Sequence, residues 1–239
     1  MFRKTPEMKA RRRAREAAKD EIDLSTSAGR RRANNELIWG DHGFLRVSFQ
    51  NLHQISDEMW RSNQPSPKQV AEHAKERGIK TILNLRGVSP KGYYLLEKEA
   101  CEANGITLVD FQVYSRNTPT KEAIFAADEL FQQIEYPALM HCKSGADRAG
   151  LMAVLYKLLR EKVSLEEARE QLSLKYLHVQ HGKTGILDAV FEVYAAFNAQ
   201  TPTPFLDWVR DHYDPDAIKK EFQASGRAKF RIDEILGRE

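Results

Sequence analysis

Apolar positions along this chain switch between a period of two and a period near 3.6, and the switches fall at turn and capping residues. Residues 44–49, from Phe44 to Phe49, alternate and predict a strand. Ser66 followed by Pro67 reads as a helix cap and first helical position, and that helix runs to Arg77 and Gly78. Residues 79–86 then predict a buried strand. A helical run over 93–104 stops at Asn104 and Gly105 and leads into a strand through Val113. From Thr118 a further helix places Ile124, Ala127, Leu130, Phe131 and Ile134 on one face, residues 136–140 form a short buried strand, and 151–160 repeat at helical spacing. Strands alternating with helices predict an α/β fold, a single mostly parallel sheet flanked by helices, with a binding loop at the carboxyl end of a strand. Only helices follow: 164–176, 184–198, and, after Thr201 to Pro204, short segments at 205–210 and 217–222 that pack through Phe205, Trp208 and Tyr213. The implied organisation is an N-terminal basic arm over 1–38, helical or disordered in part, a central domain over 39–200 and a helical C-terminal tail over 201–239.

The chemistry concentrates where the strand at 136–140 meets the helix at 151–160. His141-Cys142-Lys143-Ser144-Gly145-Ala146-Asp147-Arg148-Ala149-Gly150 sets a thiol and a guanidinium six positions apart around a glycine. Amide groups at a helix N-terminus converge there, carry partial positive charge and form an anion cradle, to which Lys143, Ser144, Gly145, Ala146, Ala149 and Gly150 contribute backbone. The same field favours Cys142 as a thiolate. The planar fork of Arg148 matches two oxygens of a phosphoryl group as a lysine could not. Read only as packing, Cys142 is a small buried hydrophobe and Arg148 a charge at a helix start, but that reading has no use for the glycine and arginine at these offsets.

This string resembles the His-Cys-x5-Arg loop of the cysteine-dependent phosphatases, the superfamily of protein tyrosine and dual-specificity phosphatases. Arg61, Ser62, Gln64 and Pro65 are similar to the Arg-Ser-x-Gln-Pro opening of its atypical dual-specificity members. The resemblance implies a phosphatase-like fold over roughly 41–198 and a two-step, metal-independent hydrolysis, with no cofactor, through a phosphocysteine at Cys142. The family's Ser or Thr after the arginine is Ala149 here, and the loop over 113–119, where the family carries an aspartate acid, holds no carboxylate. Asp147, inside the loop, is the candidate acid, as in myotubularin-type phosphatases; it equally suits a pairing with Arg148 or a helix cap. Asp110 at a strand end is the second candidate. The resemblance also marks Arg86, at the end of the strand over 79–86, and Gln180 and Lys183, with His181, in the loop over 176–185, as substrate-binding candidates; a structural partner for Arg86 and solvated side chains for the others are the plain alternatives. Tyr114 and Tyr176 are candidate walls for a phosphotyrosine ring.

Composition narrows the partners. The chain of 239 residues is 41% hydrophobic and 30% charged, as in soluble globular proteins, and lacks an apolar stretch of bilayer length, so a cytoplasmic address is expected. Through Arg32 it has eleven basic and five acidic residues, a surplus of six in a chain of net charge +3, so the body carries −3. Such an arm can touch anionic membrane weakly or stay a solvated extension, and charge alone supports no specific nucleic-acid binding. Two cysteines give neither a disulfide framework nor zinc spacing; Cys101 reads as packing, or as a redox partner of Cys142. The expected substrate is a phosphorylated protein or a phosphorylated lipid or inositol phosphate, and Lys143, Asp147 and the arm lean towards the second. A catalytically weak phosphate-binding module is the reading from another class, suggested by the missing hydroxyl and acid.

Overall fold

The computed structural model describes residues 22–225. Four parallel strands and one antiparallel edge strand form a single sheet in the order β1-β2-β5-β3-β4. They are β1 (His53–Gln54), β2 (Met59–Asn63), β3 (Thr81–Asn84), β4 (Thr107–Asp110) and β5 (Ala138–Cys142). The central strand is β5, where His141 lies opposite Asn84 of β3 and Cys142 opposite Asn63 of β2. The chain builds outward to β4 and then returns to the middle, so the carboxyl end of β5 is the point where ligands bind in open α/β sheets.

The pleat sends alternate residues of β5 to opposite faces. Ala138, Met140 and Cys142 join a large core, and Leu139 joins a smaller one with Val70, Ile82 and Cys101. The smaller core is covered by α3 (Pro67–Arg77) and α4 (Gly92–Ala103). Ser66 caps α3 in a reciprocal box with Gln69, with Pro67 in the first turn and left-handed Gly78 at its end. The larger core lies under α5 (Lys121–Gln133), α6 (Asp147–Leu159), α8 (Ile186–Gln200) and the tail helices α9 (Phe205–Asp211) and α10 (Pro215–Ser225). Every residue of α6 from Ala149 to Tyr156 is buried, which suits a helix enclosed on all sides. The tail braces the loop before α5, through Tyr213 Oη to the Pro119 carbonyl (2.7 Å) and Thr118 Oγ1 to the Pro215 carbonyl (3.0 Å).

Two expectations change. Residues 44–49 are no strand: α2 (Gly43–Ser48) is a short helix, because Arg46 reaches back to the Asp41 carbonyl (2.7 Å) and carboxylate (2.8 Å) and closes a helical turn. The helix expected over 164–176 stops early, as α7 (Leu165–Arg169), since the Gln171 carbonyl is taken by Arg61 at 2.7 Å. The described part of the basic extension over 1–38 is helical in part and packs on the body. There α1 (Ser27–Asn35) packs Ala33 with Leu37 and Ile22 against Leu96, and Arg30 pairs with Glu99 through two hydrogen bonds of 2.7 and 2.8 Å. Residues 1–21, which hold most of the arm's charge, and 226–239 of the tail lie outside the described residues.

Candidate active site

The loop from Cys142 to Arg148 leaves the end of β5 and enters α6, whose N-terminus has no side-chain cap, unlike α3, α5 and α7. Its carbonyls are held from outside. Gln64 N–H donates to the Lys143 carbonyl (3.4 Å), and Asn51 Nδ2 to that of Ser144 (3.0 Å). Arg61 Nη2 donates to the carbonyls of Gly145 (2.8 Å) and Ala146 (2.9 Å). Because each peptide is planar and trans, carbonyls drawn outward turn the following amides inward, towards the space above Cys142. Gly145 has φ of 73°, and a Cβ there would stand 2.7 Å from the Asn63 nitrogen, so only glycine lets the loop lie against β2.

Arg61 carries much of this arrangement. It is fully buried, bonds the Gln171 carbonyl and Oε1 (2.7 and 3.0 Å) in addition to the loop, and stacks 4.1 Å above the Tyr176 ring. Burial brings its guanidinium down to about 10, an effect that its acidic neighbours, Cys142, Tyr176 and Asp147, partly oppose, so it remains a cation at neutral pH. In the sequence Arg61 stands out only as part of the Arg-Ser-x-Gln-Pro resemblance, because the carbonyls it holds lie 84 to 110 positions away.

Several predicted side chains lie elsewhere. Arg86 does not line the cradle: both of its terminal nitrogens are engaged by Asp41 (2.7 and 2.8 Å), one also by Gln64 (2.8 Å), and its plane lies 3.7 Å over Tyr93. The structural partner prevails there because Asp41 gathers three cations, Arg86, Arg46 and, at 3.4 Å, Lys143. These cations hold the Asp41 carboxyl below its ordinary range, although burial, the largest single influence, opposes them. Lys143 is thereby leashed beside the loop, half-exposed. His141 points to the opposite face of the sheet, 2.8 Å from buried Glu97 but out of hydrogen-bond alignment with it. Asp110 is bound by Asn84 Nδ2 and Tyr94 Oη, each at 2.7 Å, which makes it a strand-end anchor. Tyr176 is buried beneath Arg61 and is no pocket wall. Tyr114 is exposed at the rim of a cavity of about 200 Å3 whose lining includes Val113, Asn117, Thr118 and Leu151, one turn beyond Arg148. Cys101 sits on the other face of the sheet from Cys142, its thiol pushed up to about 12 by burial and by Glu97 and Glu102, which suits packing and not redox pairing.

At the loop itself, Asp147 neither caps α6 nor bonds Arg148. Its Oδ1 is 2.8 Å from His178 Nδ1, and the other ring nitrogen, Nε2, is 2.8 Å from Asp188 Oδ2. His178 and Asp188 are both buried. Gln180 lies behind this chain, donating to Asp188 Oδ1 at 3.0 Å and not to the cradle; Lys183 and His181 are exposed. The guanidinium of Arg148 has no hydrogen-bond or ion-pair partner among the described residues and stays available to an anion. Ala149 and Gly150 are buried, Gly150 with Leu172 and the Gln171 carbonyl where a Cβ would go.

A thiol below a ring of inward amides, with an unengaged guanidinium at the helix start, is an arrangement suited to phosphoryl transfer. The family model described as DSP-PTPase phosphatase fused to NAD+ kinase matches residues 47–187, more than half of the chain. This chain belongs to that family. As a member of the DSP-PTPase family it is a cysteine-dependent, metal-independent phosphatase of the dual-specificity type. No curated protein matches it. Among solved structures, P. aeruginosa TpbA in complex with pTyr is 17% identical over 67% of this chain and 88% of that one, with a TM-score of 0.49. PTPMT1 is 15% identical over 63% and 99%, with a TM-score of 0.47. The core catalytic domain of the PP-IP phosphatase SIW14 from S. cerevisiae in complex with citrate is 20% identical over 65% and 97%, also at 0.47. Among the described residues of this phosphatase, no helix is long and apolar enough to cross a membrane and no cluster of His, Cys, Asp and Glu has metal-holding geometry.

Proposed function

We propose that this phosphatase hydrolyses phosphomonoesters through a phosphocysteine at Cys142, with Arg148 clamping the phosphoryl group, the amides of Lys143 to Ala149 stabilising its equatorial oxygens and Asp147 acting as acid and then base. The observation that carries the reading is the outward bonding of four successive loop carbonyls, from Lys143 to Ala146, around an unengaged Arg148. A preorganised ring of donors stabilises the extra charge of the phosphoryl in transit without reorganising at that moment. In the first step Sγ bonds phosphorus, the bond to the leaving oxygen breaks, and Asp147 protonates that oxygen. In the second, water bonds phosphorus, the P–S bond breaks with its electrons returning to sulfur, and Asp147 takes the proton from water. The carboxylate thereby serves a second step that has no hydroxyl at Ala149 to help the sulfur leave.

Asp147→Asn is expected to lower kcat/KM for an alkyl phosphate by about 100-fold or more while lowering that for a nitrophenyl phosphate, whose oxygen needs no proton, by less than about tenfold. Equal losses on the two in kcat/KM, which reports the leaving-group step apart from hydrolysis of the shared phosphocysteine, measured with chelator present, would remove Asp147 as the acid.

A phosphorylated tyrosine or serine side chain is the substrate this family assignment favours, with exposed Tyr114 beside the cavity as the aromatic rim. The same chemistry on a phospholipid or inositol phosphate is favoured by a different observation. Trp39 is 67% exposed and packs 5.6 Å from Phe44, which lies 6.3 Å from His42, whose Nδ1 is 3.5 Å from the amine of Lys143. An aromatic patch continuous with a cation of the phosphate loop suits the interface of an anionic membrane. If lipid is the substrate, the double variant Trp39→Ala, Phe44→Ala should lose at least about fivefold in turnover of phosphoinositide in vesicles and nothing on a soluble aryl phosphate. Unchanged vesicle turnover leaves the phosphoprotein reading.

A further inference from the structure

We infer that His178, held between Asp147 and Asp188, is the positioning residue that sets the acid–base cycle of this phosphatase: as a cation it fixes one oxygen of Asp147 and stabilises the carboxylate that remains after the leaving group has been protonated. The inference rests on Asp147 being the acid, and extends it to two residues outside the loop.

The geometry is that of a buried relay ending in solvent at one point. His178 is fully buried, donates from both ring nitrogens at 2.8 Å, and meets Asp147 of α6 on one side and Asp188 of α8 on the other. Asp188 is occupied on both oxygens, by His178 and by Gln180. Asp147 is the half-exposed end, and its Oδ2 is engaged by no other residue of the described chain. The charged groups acting on the imidazole are those two carboxylates; Lys175, His181 and Lys183 of its own segment are exposed. Burial disfavours the imidazolium, but hydrogen bonds and charge from Asp147 and Asp188 overcome it and push His178 up to about 9. The ring therefore carries its second proton at neutral pH.

That state has a use in each step. When Oδ2 of Asp147 gives its proton to the leaving oxygen, negative charge appears on a group already bonded at Oδ1 by a cationic N–H, and the transfer leaves an ion pair in place of an isolated anion. While the phosphocysteine stands, the carboxylate persists, oriented, until water donates its proton to Oδ2. No proton leaves His178 in the cycle. When His178 does lose its proton, the neutral ring has one N–H for two carboxylates, so either Asp147 or buried Asp188 loses its donor.

The test uses the full chain and kcat/KM profiles against pH for the wild type, His178→Asn, which keeps a neutral donor, and Asp188→Asn. On an alkyl phosphate the wild type should lose activity as pH rises and the coupled Asp147–His178 pair gives up the protons that the leaving-group step needs. Asp188→Asn should move that fall to lower pH, and His178→Asn should displace it while lowering kcat/KM about tenfold or more, with a much smaller effect on nitrophenyl phosphate. Imidazole NMR signals of folded wild type and Asp188→Asn supply the second measurement: His178 should titrate near 9 in the first and lower in the second. An alkaline fall that stays in place in both variants, or a His178 titrating at its ordinary value in the wild type, overturns the inference. Asp147→Asn keeps the two claims apart: leaving-group sensitivity there, with no movement of the fall in Asp188→Asn, refutes the role of His178 alone, whereas insensitivity refutes the acid itself.

Discussion

Cys142→Ser is expected to lower turnover of an aryl phosphate by more than about 1,000-fold without unfolding the chain, and Arg148→Lys by about 100-fold or more, each measured with chelator present and with vanadate as an inhibitor of the wild type. The first expectation follows from the nucleophile: a hydroxyl at the same place meets the same inward amides but is far harder to ionise. Oxygen for sulfur changes little in volume at a site 2% exposed in the core under α6, so the fold should persist and the variant should still bind phosphorylated substrate. The second follows from shape. Arg148 has no hydrogen-bond or ion-pair partner among the described residues, so what fixes it in the working state is the two-pronged match to phosphoryl oxygens, which an ammonium lacks. Its loss should fall on kcat as well as KM, because the clamp tightens as charge builds on the equatorial oxygens. Metal-stimulated activity surviving Cys142→Ser would remove the covalent mechanism.

The sheet and the loop were legible because local signals agreed with tertiary need. Ser66 and Pro67 started a helix, apolar runs marked β3 and β5, and Cys142, Gly145 and Arg148 stood at informative spacing between strand and helix. Failures fell where a charged residue satisfied by distant partners replaced hydrophobicity as the organising force. Among the described side chains of 44–49, Arg46 is buried while Phe44, Leu45 and Phe49 are exposed, so the alternation points the wrong way. Residues 176–180 repeat that inversion: Tyr176 and His178 face inward, and Leu177 and Val179 face water. The polar pattern therefore points to Gln180, His181 and Lys183, the outward residues of the same loop, and not to His178. The available signal was a histidine two positions from Tyr176, in a segment whose apolar residues are the exposed ones. The pairing of Arg86 is hidden for a related reason, since its partner Asp41 lies 45 positions away and nothing local announces it.

Arg61→Met should show how far the cradle depends on support from behind. Methionine nearly fills the space but donates nothing, so the Gly145 carbonyl, the Gln171 carbonyl and Gln171 Oε1 lose their buried donor, while Ala146 retains the amide of Gly150 at 2.9 Å. Breaking a buried charged network in this way costs about 3–5 kcal/mol, or roughly 10 °C in Tm for a domain of this size. Catalysis should suffer beyond the stability loss. With no guanidinium to draw it outward, the Gly145 peptide is free to turn its carbonyl towards the phosphate site, exchanging a donor for an acceptor that repels the anion, and kcat/KM measured well below the melting point should fall by about 100-fold or more. Arg86→Met provides the contrast: it removes a buried cation of similar size that bonds Asp41 and Gln64 but no loop carbonyl, so it should destabilise while largely sparing kcat/KM. Comparable kinetic losses in the two variants would mean that the loop senses general loosening, and that its amides are aimed by the β5–α6 turn and Gly145 without the help of Arg61.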